Sequence, residues 1–271
     1  MASSVESFKR VVVEGRWDGN VIPGRIEEVA REVYVRPGAH VHGGVFGDRI
    51  EVEGPCQIEK ALYASRELRV LLHGDVVCES SVGCKHNVLC EEANGVLRIY
   101  GDVIAKDVTL RRTAVLGGVH GRNIRLSECV VLGPVLAENR VILENCCVLT
   151  ANANELQIGP GNSVIMPFLM ANESIQISAA VQSVLVGDES GQMTEEDVIE
   201  HEGGITLSLG RRLTDLQQAE GRVQSVLGYL QGRVMAGRAI ASAAEETGAN
   251  LMPDIVKTLL HPGQSTDACS G

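Results

Sequence analysis

Aromatic side chains make up only 3% of this chain, and tryptophan occurs once, at Trp17. A core short of large rings must be filled by Val, Ile, Leu and Ala, which suits a narrow repeating interior. No run of 18 apolar residues is present, which excludes a membrane-spanning helix on hydropathy. No signal peptide opens the chain, so the sequence reads as cytoplasmic. A basic stripe is missing as well. The net charge is −11, which argues against nucleic acid as a partner, because binding phosphates needs clustered cations. Nucleophile elbow, phosphate loop and dinucleotide fingerprint are all absent, and no cofactor is expected. The 8 cysteines have no secretory context and read as thiols, not as a disulfide framework.

What the chain does contain is a repeat. Gly101-Asp102-Val103, Gly117-Gly118-Val119, Gly133-Pro134-Val135 and Thr150-Ala151 place one marker at 103, 119, 135 and 151, a step of 16. Two residues on stands a small residue: Ala105, Gly121, Ala137, Ala153. A polar residue follows (Asp107, Asn123, Asn139, Glu155), then an apolar pair at spacing two, such as Val108/Leu110 and Ile124/Leu126. Units too short to bury their own apolar face must stack, and spacing two makes them strands. This predicts a β-solenoid.

Looser copies extend the pattern at Ala30–Val35, Gly47–Val52, Ala64–Val70, Cys78–Cys84, Val88–Ile99 and Ala171–Ile177. Together they predict about ten coils of about 16 residues over residues 28–187, a rod of roughly 48 Å at the usual strand spacing. Pro37-Gly38 and Pro160-Gly161 occupy matching places and predict a shared corner turn. Before the repeats, residues 1–27 read as an N-terminal hairpin around Asp18-Gly19-Asn20, serving as a cap or as one imperfect extra coil.

After Gly187 the pattern changes. Residues 188–212 read as an acidic linker with one short helix capped by Thr194. Over 213–260 the apolar period becomes helical, with Val223, Leu227, Leu230 and Val234 on one stripe. A long helix with so narrow a stripe needs a surface to pack on: the solenoid, a second chain or a lipid surface. Residues 261–271 read as a flexible tail.

Few residues suggest chemistry. Cys78, Cys84, His86 and Cys90 cluster in sequence, but their spacing fits no common zinc module. The repeat places Cys78 at the small position of Ala105 and Cys84 at the apolar position of Leu110, so both read as core. Cys129, Cys146 and Cys147 read likewise. His40, His42, His73 and His120 lie near glycine corners, and His42, His73 and His120 flank the repeat glycines, where they could stack along one edge. Left-handed β-helix acyltransferases and carbonic anhydrases use such histidines, yet their six-residue aliphatic repeat is absent. Solvated edge histidines are the simpler reading, and no catalytic, metal or cofactor-binding residue is assigned.

The phrase Gly101-Asp102-Val103-Ile104-Ala105, with its variant Gly74-Asp75-Val76-Val77-Cys78, resembles the polymer-forming bactofilin-type β-helix family. The resemblance covers residues 28–187. It implies a right-handed parallel β-helix whose subunits stack end to end into non-polar cytoskeletal filaments without nucleotide. The structured N-terminal segment, the larger number of coils and the C-terminal helix depart from that family's pattern. The expected function is therefore a structural, self-assembling protein, not an enzyme, whose partner is itself, with scaffolded proteins or a membrane surface as further partners. Its self-association residues would be Ile175, Ile177, Val184 and Val186, because the span between Ile175 and Val186 carries no charge to guard a strand edge. The alternative is a β-helix enzyme of the hexapeptide acyltransferase or carbonic-anhydrase-like type, using an edge histidine.

Overall fold

The computed structural model describes residues 10–24, 30–90, 94–178, 181–186, 198–201 and 204–208. Among them, 19 strands join in one sheet wound into an all-β, mostly parallel solenoid. Each turn crosses three strand ladders. The first runs from Val21 through Val45, Leu62, Val82, Val103, Val119, Val135 and Ala151 to Leu169, each paired in parallel with the next. These nine positions mark eight turns, a rod of about 38 Å. The second ladder carries Val108, Ile124, Val141 and Leu156, and the third carries Ile58, Cys78, Ile99 and Val115.

Alternation decides which residues fill the interior. In Val103–Arg111, Val103, Ala105, Val108 and Leu110 are buried, while Ile104, Lys106 and Arg111 face out. Each turn thus contributes short aliphatic pairs from its faces to one continuous core, with no layer wide enough to need a large ring.

The number of turns corrects the expected ten. Cys78–Cys84 and Val88–Ile99 look like two copies in sequence but belong largely to one turn. Val82 and Cys84 pair with Val103 and Ala105 on the first ladder, Val88 and Cys90 with Val108 and Leu110 on the second. The step is 16 only between Val103 and Ala151. It is 20 from Leu62 to Val82 and 21 from Val82 to Val103, because extra residues enlarge the corners. Of the two readings of the N-terminal segment, residues 10–24 follow the extra coil and not a hairpin cap. Arg10–Val13 pairs in parallel with Glu32–Val35, and Arg16–Trp17 pairs in parallel with His40–Val41. The segment is an extra coil. Gly15 and Gly19, at φ +63° and +89°, bend it around two corners, so its strands never fold back on each other.

The corner between the second and third ladders is built the same way on many turns. Gly38 and Gly161 sit there at φ +82° and +97°, as their matching Pro-Gly phrases predict. On three intervening turns the left-handed residue is Arg112, Glu128 or Asn145. The residue after each is buried and bonds back across the bend. Thr113 Oγ1 donates to Arg111 O at 2.9 Å, Cys129 Sγ to Ser127 O at 3.2 Å, and Cys146 Sγ to Glu144 O at 3.2 Å. These local bonds offset part of the cost of a non-glycine residue at positive φ. At another corner, the 16-residue glycine column reflects close backbone approach: a Cβ on Gly133 would come within 2.5 Å of the Gly117 backbone.

The corner between the first and second ladders carries a polar spine. Asn123 Nδ2 donates to Asp107 Oδ1 at 2.7 Å, and Asn139 Nδ2 to Asn123 Oδ1 at 2.8 Å. Glu155 leaves the predicted row to pair with Arg140. Nearer the N-terminal end, the same corner holds Asp48. It accepts from the Arg31 backbone N–H at 2.8 Å, from Arg31 Nη2 at 3.1 Å and from the Ser65 hydroxyl at 2.5 Å. The Arg31 side chain is the main cause that holds the Asp48 carboxyl well below the usual carboxylate range. Because the folded value lies below the unfolded one, this stabilisation is present at neutral pH and is lost as pH falls below about 4. Asp48→Asn should cost about 1–3 kcal/mol at pH 7. Denaturant titration should show the gap to the parent narrowing between pH 5 and 2, and a gap constant over that range would refute the assignment.

The C-terminal end differs from its expected linker. Val198–His201 and Gly204–Ser208 form an antiparallel hairpin, and Gly204–Ser208 lies antiparallel along residues 174–178 of Gly161–Ser178. The described part of 188–212 is therefore strand, not helix, since Ile199, Ile205 and Leu207 alternate with polar neighbours as strands do. The helical stripe of Val223, Leu227, Leu230 and Val234 lies outside the described residues, as does 261–271. Among the described residues, no helix is long and apolar enough to cross a membrane.

Candidate functional site

The two ends of the rod are unlike. At the C-terminal end, Ile175 and Ile177 pair with Leu207 and Ile205, so the edge expected to bind another copy is occupied by the chain's own hairpin. Val184 and Val186 behave differently. Their strand, Val181–Val186, pairs with residues 161–165 and has no further strand beyond it among the described residues. At the N-terminal end, Arg10–Val13 pairs in parallel with Glu32–Val35, and no second strand flanks Val11–Val13 among the described residues. Val13 O accepts from Arg36 N on that inner side at 3.0 Å. Backbone direction alternates along a strand, so the N–H and C=O of Val12 point away, toward the open edge. The Val12 side chain is 45% exposed, without a charge of its own to guard the edge.

The histidines do not form one row. His73 lies at the second-to-third corner, with Nδ1 at 2.9 Å from Glu53. That contact, with Arg36 also bonded to Glu53, lowers the Glu53 pKa. His120 stands on the first ladder opposite Ile104 and Leu136. His40 and His42 do come together, with ring centroids 4.2 Å apart. His40 Nε2 lies 3.0 Å and His42 Nδ1 2.6 Å from the same oxygen, Glu59 Oε1 on the next coil. These hydrogen bonds, His42 first, lower the Glu59 pKa. His42 Nε2 is buried without a hydrogen-bond partner among the described residues, and Asp18 Oδ1 is 3.9 Å away. Proximity of the two histidines was visible in the sequence, but Glu59 was not, because only coil register brings it alongside.

A shallow groove of about 890 Å³ runs along the outer face of the first ladder. Ile104, His120, Leu136 and Asn152 line it on successive turns, flanked by Lys85, Lys106, Arg122 and Glu138. It gathers one histidine and one carboxylate, and no nucleophile with an adjacent base. Cys84 reaches its wall, yet its thiol pKa is raised by burial.

The cysteines belong to the core, as expected, but in a different register. Cys84 holds the small position beside Ala64 and Ala105, and Cys90 holds the place of Leu110. Cys78 lies between Ile58 and Ile99 on the third ladder. Burial pushes the thiols of Cys56 and Cys147 up to about 12 and that of Cys78 up to about 11. Such thiols carry almost no thiolate at neutral pH and are poor nucleophiles and poor metal ligands.

Comparison with protein-family models, with curated proteins and with solved structures finds no match to this chain. The functional reading therefore rests on the solenoid itself.

Proposed function

We propose that this protein is a structural, self-assembling scaffold that oligomerises through the ends of its β-helix without nucleotide. The observation that carries this reading is the outer edge of the first described coil at Val12. Among the described residues Val11–Val13 has a strand on one side, whereas the last rung of the same ladder is covered by a hairpin. An open edge of backbone N–H and C=O groups is a template for another chain. Two first coils meeting by a two-fold axis would give a non-polar contact in which each edge satisfies the other. A second contact through Val184 and Val186, on the strand that ends the third ladder, would extend such pairs into a polymer. The alternative enzyme reading asks for histidines gathered in a cleft with a nucleophile or substrate pocket. The groove holds one histidine, His120, with no nucleophile beside it, and His40 and His42 meet away from it at Glu59. Its length and its mix of apolar and basic side chains suit it to a scaffolded partner protein lying along the rod.

The test is Val12→Pro. Proline at an edge position removes an outward donor and leaves the inner ladder bonded. The variant should keep the parent's melting temperature within a few degrees, yet light scattering over a concentration series should show smaller species. A parent that stays monomeric at the highest concentration would overturn end-to-end assembly, and an unchanged variant mass would exclude this edge as the contact.

A further inference from the structure

His40, His42 and Glu59 each place one ligand atom within 4.8 Å of the others, and His40 Nε2 and His42 Nδ1 both face Glu59 Oε1. We propose that they form a binding site for a divalent transition-metal ion of the zinc type, with Asp18 as the partner of the outer nitrogen of His42. The proposal is independent of how the rod assembles. Two imidazole nitrogens and one carboxylate oxygen are a donor set for zinc and its neighbours, not for calcium or magnesium, which take oxygen cages.

The geometry is close to what an ion requires. A tetrahedral ion with bonds of about 2.0–2.1 Å holds its ligand atoms about 3.3 Å apart. The imidazole nitrogens lie 3.0 and 2.6 Å from the shared carboxylate oxygen, so side-chain shifts of about 0.3 and 0.7 Å would bring them to the separation an ion needs. All three side chains are between 27% and 39% exposed, so an ion can reach them, and water can complete the coordination. The backbone holds them in place: His40 and Gln57 are register partners on adjacent third-ladder strands, and Glu59 follows two residues later, level with His42.

The unpartnered nitrogen is the second observation. His42 Nδ1 faces Glu59 Oε1 at 2.6 Å, while Nε2 of the same ring is buried with no hydrogen-bond partner among the described residues. With an ion on Nδ1, the ring proton must sit on Nε2, which then becomes a donor. Asp18 Oδ1, held by Arg16 Nε at 3.2 Å, is the acceptor 3.9 Å away. A carboxylate behind a metal-bound imidazole is the usual outer-sphere arrangement. The ion would thereby tie the first coil, through Asp18, to the two coils that follow.

The experiment uses the full chain stripped with a chelator and then titrated with Zn²⁺ by calorimetry. One equivalent should bind, and the melting temperature should rise. His42→Ala and Glu59→Gln should each abolish that equivalent, and Asp18→Asn should weaken it about 10- to 100-fold. Glu59→Gln preserves shape and hydrogen bonding, so it carries the test if His42→Ala fails to fold. Co²⁺ in place of Zn²⁺ should give a visible spectrum without a thiolate charge-transfer band. The proposal is overturned by absence of saturable binding, by binding that survives Glu59→Gln, or by a thiolate band that assigns the ion to cysteine.

Discussion

Val119→Asp should unfold this protein or destabilise it by more than about 4 kcal/mol. Val119 is fully buried and lies in register with Val103 below and Val135 above. Its side chain sits in a column of aliphatic groups with no cation among the buried described residues, and the buried donors Thr113, Cys129 and Cys146 are already bonded to backbone carbonyls at another corner. The charge would therefore have to be neutralised or the coil opened, and neighbouring turns share the damage because each is the floor of the next. Arg122→Asp makes a useful control, since it puts a charge three residues away on the exposed face. That change should fall within about 0.5 kcal/mol of the parent. Thermal melts of the three proteins decide the matter, and a Val119→Asp protein that melts like the parent would refute the shared interior.

The repeat from Val103 to Ala151 was legible because its corners are of equal length there, so sequence spacing and spatial register coincide. Between Leu62 and Val103 the corners lengthen. Sequence spacing then misplaced Cys78 and Cys84 by one ladder, although their burial was readable from their chemistry alone. The N-terminal coil misled for a related reason. Asp18-Gly19-Asn20 has the composition of a hairpin turn, but the direction of the chain after it depends on which strand accepts Val21, and that partner, Val45, is 24 residues away. The hairpin of Val198–His201 and Gly204–Ser208 was hidden by its acidic surroundings, with Glu200 and Glu202 masking a short alternation. Glu59 was invisible as a partner for His40 and His42. Parallel stacking brings residues one turn apart together, and that turn is not the 16 residues found elsewhere.

Thr206→Pro should convert the guarded end of the rod into a sticky one. Thr206 lies at the middle of Gly204–Ser208, facing Gln176 on one side and Ile199 on the other. A strand paired on both sides cannot accept proline without losing a ladder bond, so the hairpin should detach from one of its neighbours. The edge it covers, residues 174–178, reads Ser-Ile-Gln-Ile-Ser, with no lysine, proline or charge to discourage another strand. Loss of the cover should therefore raise the mass seen by light scattering as concentration increases, while the coils beneath keep their melting transition. Gln176 is exposed and outward, so Gln176→Lys places a gatekeeping charge on that edge without entering the core. In the Thr206→Pro background, Gln176→Lys should bring the mass back toward that of the parent. If Thr206→Pro leaves the mass unchanged, the hairpin is not what keeps this edge from pairing. If the mass rises but Gln176→Lys does not lower it, the new contact lies elsewhere on the rod, with the Val184 and Val186 strand the next to be tested.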